Sequence, residues 1–348
     1  MTPNGWDRHP VGKLCKSIVP GRNKPKKFDG NIAWITTPDI QGRYVPSNVQ
    51  QHYVSEDAII ESGAKVIPAG SVIIAAVGEL GLTAIASEPL VLNQQLHAFV
   101  CPEFLDNEFL AYWFETQKPY MERIASKTTI PYMNKSNCES IPVSYPPLPE
   151  QKKIAQILST WDKAIETVEK LIANSQQKKK ALMQQLLTGK KRFPGFNGEW
   201  KKTELGELLD YKQPTQFLVT STKYSDEYAT PVLTAGKTFV LGHTNENFGV
   251  YEEGLPVIIF DDFTTASKFV DFPFKAKSSA MKILTAKQGV SIKYIFEAMQ
   301  MMNYSVGGHQ RHWISIYTNL VVNLPSLEEQ QKISSALSSA DHEIETWQ

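Results

Sequence analysis

Apolar residues along this chain recur with two periods, and the longest regular stretch has the helical one. From Pro146 to Gly189 the chain reads PPLPEQKKIAQILSTWDKAIETVEKLIANSQQKKKALMQQLLTG. Prolines open it, Gly189 closes it, and neither residue type occurs between Glu150 and Thr188. This predicts one uninterrupted helix. Ile154, Leu158, Trp161, Ile165, Val168 and Ile172 follow one another at alternating steps of four and three. So narrow a seam asks for a partner helix rather than a globular core. In the same frame the seam turns polar at Ser175 and Lys179, where packing is expected to be weakest, and returns to apolar at Leu182 and Leu186. At about 1.5 Å per residue such a helix is on the order of 55–60 Å long, the dimension of a spacer.

Shorter patterns flank it. IAWITTPDIQGRYV (Ile32 to Val45) predicts a strand, a polar turn and a second strand, and Ala58–Ile60 and Ser71–Val77 are strand candidates. Asn107–Glu115 has helical spacing, and Ile141–Val143 is the last strand before the long helix. The pattern then returns. VVNLPSLEEQQKISSALSSADHEIETWQ places Glu329-Gln330 179 positions after Glu150-Gln151. At that offset Val143, Pro146, Leu148, Lys153, Ile154, Leu158, Ser159, Asp162, Ile165, Glu166 and Thr167 all meet identical residues. The seam recurs as Ile333, Leu337, Ala340, Ile344 and Trp347. Trp200, Gly206 and Leu208 likewise echo Trp6, Gly12 and Leu14, while the loops differ: RNKPKK in one half, KQPTQF in the other. Agreement of pattern and identity over this length indicates duplication.

The run PLPEQKKIAQIL, the helix behind it and the echo LEEQQKIS resemble the DNA-specificity subunit of type I restriction-modification systems. The resemblance implies an α+β chain with two similar mixed α/β target-recognition domains, separated by long coiled-coil-like helices in a pseudo-repeat. The expected boundaries are 1–148 for the first recognition domain, 149–190 for the central helix, 191–325 for the second domain and 326–348 for a partial second helix. Each domain would read half of an interrupted site on double-stranded DNA. The seam residues would serve helix pairing and docking of methyltransferase subunits, with restriction-translocase subunits completing the complex. S-adenosylmethionine, ATP and magnesium would belong to those partners and not to this chain. The second helix stops at Gln348, which puts its full-length pairing and the docking of a second methyltransferase in question.

Composition narrows the alternatives. With 348 residues the chain accommodates two domains, and 42% hydrophobic with 21% charged residues is an ordinary soluble balance. No apolar run reaches membrane-spanning length and no secretory leader is evident, so a cytoplasmic location is expected. Cys15, Cys101 and Cys138 are few and scattered, which predicts no disulfide framework and no zinc site. Net charge is zero, but nine basic residues between Lys170 and Lys202 face a single acid, Glu199. Such local stripes are what phosphate neutralisation requires, although the Lys178–Lys180 run by itself suits a solvated helix face equally.

Catalytic motifs fail on inspection. VLTAGKT ends like a phosphate-binding loop, but Pro231 stands where that loop needs glycine. Tyr145 and Leu148 break the likeness of YPPL to an adenine-methyltransferase motif, and Asp261-Asp262 lacks the lysine element of a nuclease. The chain reads as non-catalytic. Side chains suited to bases and phosphates remain. In the first domain they are Arg22, Asn23, Lys24, Lys26, Lys27, Arg43, Thr128, Thr129 and Tyr132. In the second they are Lys212, Gln213, Lys237, Thr238, Asp262, Thr264, Thr265, Lys268, His309, Gln310, Arg311 and His312, with Trp313 expected in the core. The rival readings are a coiled-coil protein scaffold without DNA specificity and a self-contained methyltransferase or nuclease.

Overall fold

A computed structural model describes residues 3–21, 23–46, 52–126, 129–234, 236, 238–302 and 312–347, His312 by its backbone alone. The chain divides into two compact units, Met1–Ile165 and Glu166–Gln348. Among the described residues no helix is long and apolar enough to cross a membrane.

Unit 1 is built on strands β1 (Lys16–Ile18), β2 (Tyr44–Val45), β3 (Val72–Ala75), β4 (Thr83–Ala86) and β5 (Leu96–Val100), in the order β1-β5-β3-β4-β2. Strand β3 is buried along its whole length because both faces are covered, so VIIA reads as a continuous apolar run. Helix α1 (Asn107–Thr116) packs Phe109, Leu110 and Phe114 against this sheet, with Asp106 capping it through a bond from the Phe109 amide. A second, four-stranded sheet carries Ile32–Ile35 and the loop before it. One expected strand is instead helix: Ala58–Ile60 lies within Glu56–Ser62. Ser55 caps that turn, Glu56 and Asp57 favour its N-terminus, and Gly63 ends it at φ 67. These local signals outweigh the β-branched pair Ile59-Ile60.

Unit 2 repeats the plan. Its strands β6 (Leu209–Lys212), β7 (Val257–Asp261), β8 (Ser267–Val270) and β9 (Met281–Ala286) lie in the order β6-β9-β7-β8. This is the β1-β5-β3-β4 order of unit 1, all antiparallel. In each unit a strand near the start pairs with the last one, Asp7–Pro10 with Pro142–Tyr145 and Lys201–Glu204 with Val321–Leu324. That last strand leads into a long helix through proline: α2 (Leu148–Leu186) in the first case, α4 (Leu327–Thr346) in the second. Helix α3 (Ile292–Gln300), capped by Ser291, takes the place of α1.

The repeated glutamine has the same task twice. Gln151, fully buried, accepts from the Asp106 amide (2.8 Å) and donates to the Pro146 carbonyl (2.8 Å). Gln330 accepts from the Ser291 amide (2.8 Å) and donates to the Pro325 carbonyl (2.9 Å). Each glutamine thus clasps the start of a long helix to the cap of the domain helix, satisfying backbone groups that burial would otherwise orphan. Gln330→Ala is expected to cost about 1–3 kcal/mol and to speed hydrogen exchange at the start of α3; unchanged exchange there would show that the clasp is idle.

The long helix is shared between the units in sequence, residues up to Ile165 belonging to unit 1 and those from Glu166 to unit 2. In unit 1 the seam is open: Leu158 is exposed, Trp161 is 66% exposed and Ile165 55%. The interruption at Ser175 and Lys179, expected to pack least, is instead where α4 lies. Ser175 Oγ donates to Glu343 (3.1 Å), Lys178 pairs with Glu343 (2.8 Å), and Lys179 pairs with Asp341 and Glu297. Partner numbers rise along α4 as they fall along α2, so the helices run antiparallel. Leu182, Leu186, Ile333 and Leu337 share one core. Charge complementarity fills the seam where apolar residues lapse.

One buried histidine gives unit 1 a pH dependence. His97 on β5 sits 2.7 Å from Ser17 Oγ and stacks on Phe99. Burial lowers it from 6.5 to about 4, with Glu139 opposing and Lys135 assisting. The folded state therefore holds fewer protons than the unfolded between those values, and its stability falls as pH drops from 6.5 towards 4. A His97→Gln variant is expected to flatten that part of the pH profile when β5 exchange is followed; an identical slope would assign the loss to other groups.

Candidate nucleic-acid interface

Two loops meet at equivalent places in the two units. In unit 1 the turn after β3 is joined to the loop that precedes the last strand. Gly78 N–H donates to the Pro131 carbonyl (2.9 Å), Met133 N–H to that of Ala76 (2.7 Å), and Tyr132 bridges to both Val77 and Ser126. Thr129 and Tyr132 are thereby presented together, both exposed, with Ile130 between them. In unit 2 the turn between β7 and β8 meets the chain at Trp313, whose amide donates to Asp262 Oδ1 (2.9 Å). Trp313 itself is core, packed edge-on to Phe260. In both units the turn of a hairpin is hydrogen-bonded to the segment before the last strand, and the two turns differ in sequence, GELG in one and DDFTT in the other.

The unit 2 tip is braced from below. Asp262 and Lys282, each about 1% exposed, pair at 3.2 Å, and Lys282 Nζ also donates to Gln213 Oε1 (3.1 Å). Asp261 Oδ1 accepts the amides of Phe263 (2.9 Å) and Thr264 (2.8 Å). Asp262, expected to face bases, is buried in the support of the tip, whereas Gln213 is exposed and touches that support through Lys282. Thr264 and Thr265 lie on the tip itself, and Lys268 lies on β8 with its ammonium over the Phe239 ring (5.8 Å). Lys212 is exposed at the end of β6, and Thr238 is exposed with its carbonyl accepting from Thr234 Oγ1 (2.5 Å).

Arg43 is diverted more completely. Its guanidinium lies 3.7 Å from the Tyr112 ring centroid and pairs with Glu115 (2.9 Å) and Asp162 (3.2 Å), leaving the side chain 16% exposed. Tyr112 donates to the same Asp162 oxygen at 2.6 Å. Arg43 therefore ties α1 to α2, and its guanidinium, expected to contact DNA, is engaged within the protein. At the corresponding place in unit 2, Asp341 and Glu297 engage Lys179 and Lys293. The aspartate persists and its partners change.

The basic loop of unit 1 is a different segment, which precedes the strand Ile32–Ile35. Asn23, Lys24, Lys26 and Lys27 are exposed, and Lys24 Nζ sits over Trp34 (5.2 Å) and Phe28 (5.6 Å). Of the later basic run, Lys178, Lys179 and Arg192 are taken by carboxylates, Arg192 by both oxygens of buried Glu329 (2.7 and 2.8 Å). Arg22, Thr128, Lys237, His309, Gln310, Arg311 and the His312 side chain lie outside the described residues. Sequence reasoning missed Ile130 and Phe263, exposed apolar residues of the two surfaces. A hydrophobic residue inside a polar turn segment was the available signal.

Comparison with known proteins agrees with this duplicated design. The family described as type I restriction modification DNA specificity domain matches residues 3–174 and again 197–348. The specificity subunit of the type I restriction enzyme EcoR124I/EcoR124II of Escherichia coli is 46% identical over 147 residues, 41% of this chain and 36% of that protein. That of MjaIX from Methanocaldococcus jannaschii is 28% identical over 174 residues, 48% of this chain and 40% of that protein. The matches thus span well under half the length of these relatives. An S subunit of a type I restriction-modification system from M. genitalium shares the fold at a TM-score of 0.69 and 15% identity, covering 100% of this chain and 94% of that one. Specificity subunits are non-catalytic, consistent with the failed catalytic motifs. With two copies of the domain, this chain belongs to the type I restriction-modification DNA-specificity family.

Proposed function

We propose that each unit reads one half of an interrupted DNA site through its hairpin surface, with the length of α2 setting the unread gap. The observation that carries this is the pairing of a repeated frame with divergent tips: the same strand order and glutamine clasp recur, while GELG and DDFTT occupy the equivalent turns. Bases would be read at the tips, and the exposed basic loop at Lys24–Lys27 would hold phosphates. The open strip Leu158, Trp161 and Ile165 suits docking of a methyltransferase subunit, with a restriction subunit joining the complex in the cytoplasm. S-adenosylmethionine, ATP and magnesium would act on those partners.

Salt dependence separates this reading from a protein scaffold. Lys26→Ala with Lys27→Ala is expected to weaken binding to cognate and non-cognate duplexes alike. It should flatten the log–log salt slope by about 0.9 for each phosphate left without its lysine. An unchanged slope would make the loop a solvated face, and absence of salt-sensitive duplex binding by the intact chain would favour the scaffold.

A further inference from the structure

The unit 2 tip displays an aromatic ring that packing does not explain. Phe263 is 46% exposed, whereas Phe260, three residues earlier, is fully buried. The turn that carries it is fixed from several sides. Asp261 accepts two of its amides, Asp261 N–H donates to the Ala266 carbonyl (2.8 Å), and Asp262 is anchored by Lys282 and the Trp313 amide. Thr265 sits at φ 60, a left-handed conformation that β-branched residues rarely adopt. Such strain at an exposed turn persists only where the surroundings impose it, and it marks sites of function.

The threonine hydroxyls of the tip are engaged within the turn. Thr264 Oγ1 accepts from the Ala266 amide (3.4 Å) and Thr265 Oγ1 donates to the Thr264 carbonyl (2.7 Å). No lysine or arginine occurs between Asp261 and Ser267. What the tip offers is the exposed Phe263 ring, beside exposed Thr264, on a braced turn at the end of the four-stranded sheet. The equivalent surface of unit 1 also exposes apolar groups, Ile130 and Tyr132. In the DNA major groove thymine alone presents a methyl group, and Phe and Thr side chains read that methyl by apolar contact. We propose that Phe263, supported by Thr264, enters the major groove and selects a thymine through its 5-methyl group in the half-site read by unit 2. This rests on the reading of unit 2 as a base-reading domain.

The test is a deoxyuridine scan on the full chain bound to its methyltransferase, using its own target duplex with each thymine replaced singly. The wild-type chain is expected to lose about fourfold in affinity, the worth of roughly one buried methyl, at one thymine of one half-site. Phe263→Ala should be indifferent to that replacement and unchanged in its response to the other half-site. Phe263→Leu should retain part of the discrimination, and hydrogen exchange of β7 and β8 should show both variants folded. Equal deoxyuridine profiles in wild type and Phe263→Ala overturn the inference, as does a half-site without an A·T pair. A uniform loss on all duplexes, or a loss of methyltransferase binding alone, overturns it too. Loss of sequence-specific binding by the wild-type chain would instead remove the underlying reading.

Discussion

Replacing Asp262 with alanine is expected to destabilise unit 2 by about 3–5 kcal/mol, because it strands the Lys282 ammonium in the core without its counter-charge. Both side chains are about 1% exposed, so water cannot take the place of the carboxylate. The loss is a large share of the 5–15 kcal/mol that typically holds a domain together. Converting Lys282 to methionine in the same chain should restore most of it, since the desolvation cost disappears with the charge. Denaturant unfolding read by hydrogen exchange in β7 and β9 separates the outcomes. A single variant that costs under about 1 kcal/mol, or a double variant no better than the single, would show that the pair does not brace the tip. Strands β3 and β5 of unit 1 should be indifferent throughout.

Four residues inserted after Thr167 should lengthen the unread gap in the target and leave both half-sites unchanged. The addition extends a helix by roughly 6 Å, or about one to two base pairs at 3.4 Å each. The polar interruption at Ser175 and Lys179 looks from sequence like the tolerant position, but α4 packs there, and an insertion would misalign Glu343 with Ser175 and Lys178. Between Glu166 and Lys170 only Val168 is even partly covered, so that segment can be lengthened without disturbing either packed end. A gap that stays the same would mean that α2 does not set it. A changed half-site would mean that the units are not independent readers.

The long helix, the duplication and the domain helices were legible because each rests on local periodicity or on identities at a constant offset. The glutamines were visible as a repeated pair with glutamate. Their task was not, since it depends on a cap 45 residues away in one unit and 39 in the other. The partners of Arg43 and Asp262 were hidden for the same reason. Residue type announces a donor or an acceptor, but whether it is already spent depends on distant partners such as Asp162, 119 positions on from Arg43. The helix at Glu56–Ser62 was overlooked because its cap and its left-handed glycine were weighed less than two isoleucines. Phe263 is not distinguished by residue type, since an aromatic side chain in sequence is more often core than exposed, and its 46% exposure is a property of the folded turn.

Two units on one chain that read two separate half-sites should be separable genetically. Methylome sequencing of cells with and without this gene, and of cells in which residues 191–325 are exchanged for those of a relative, tests it most directly. One interrupted motif is expected to appear only with the gene, and the exchange is expected to rewrite one half while the other half persists. A continuous motif, or an exchange that alters both halves together, would contradict it.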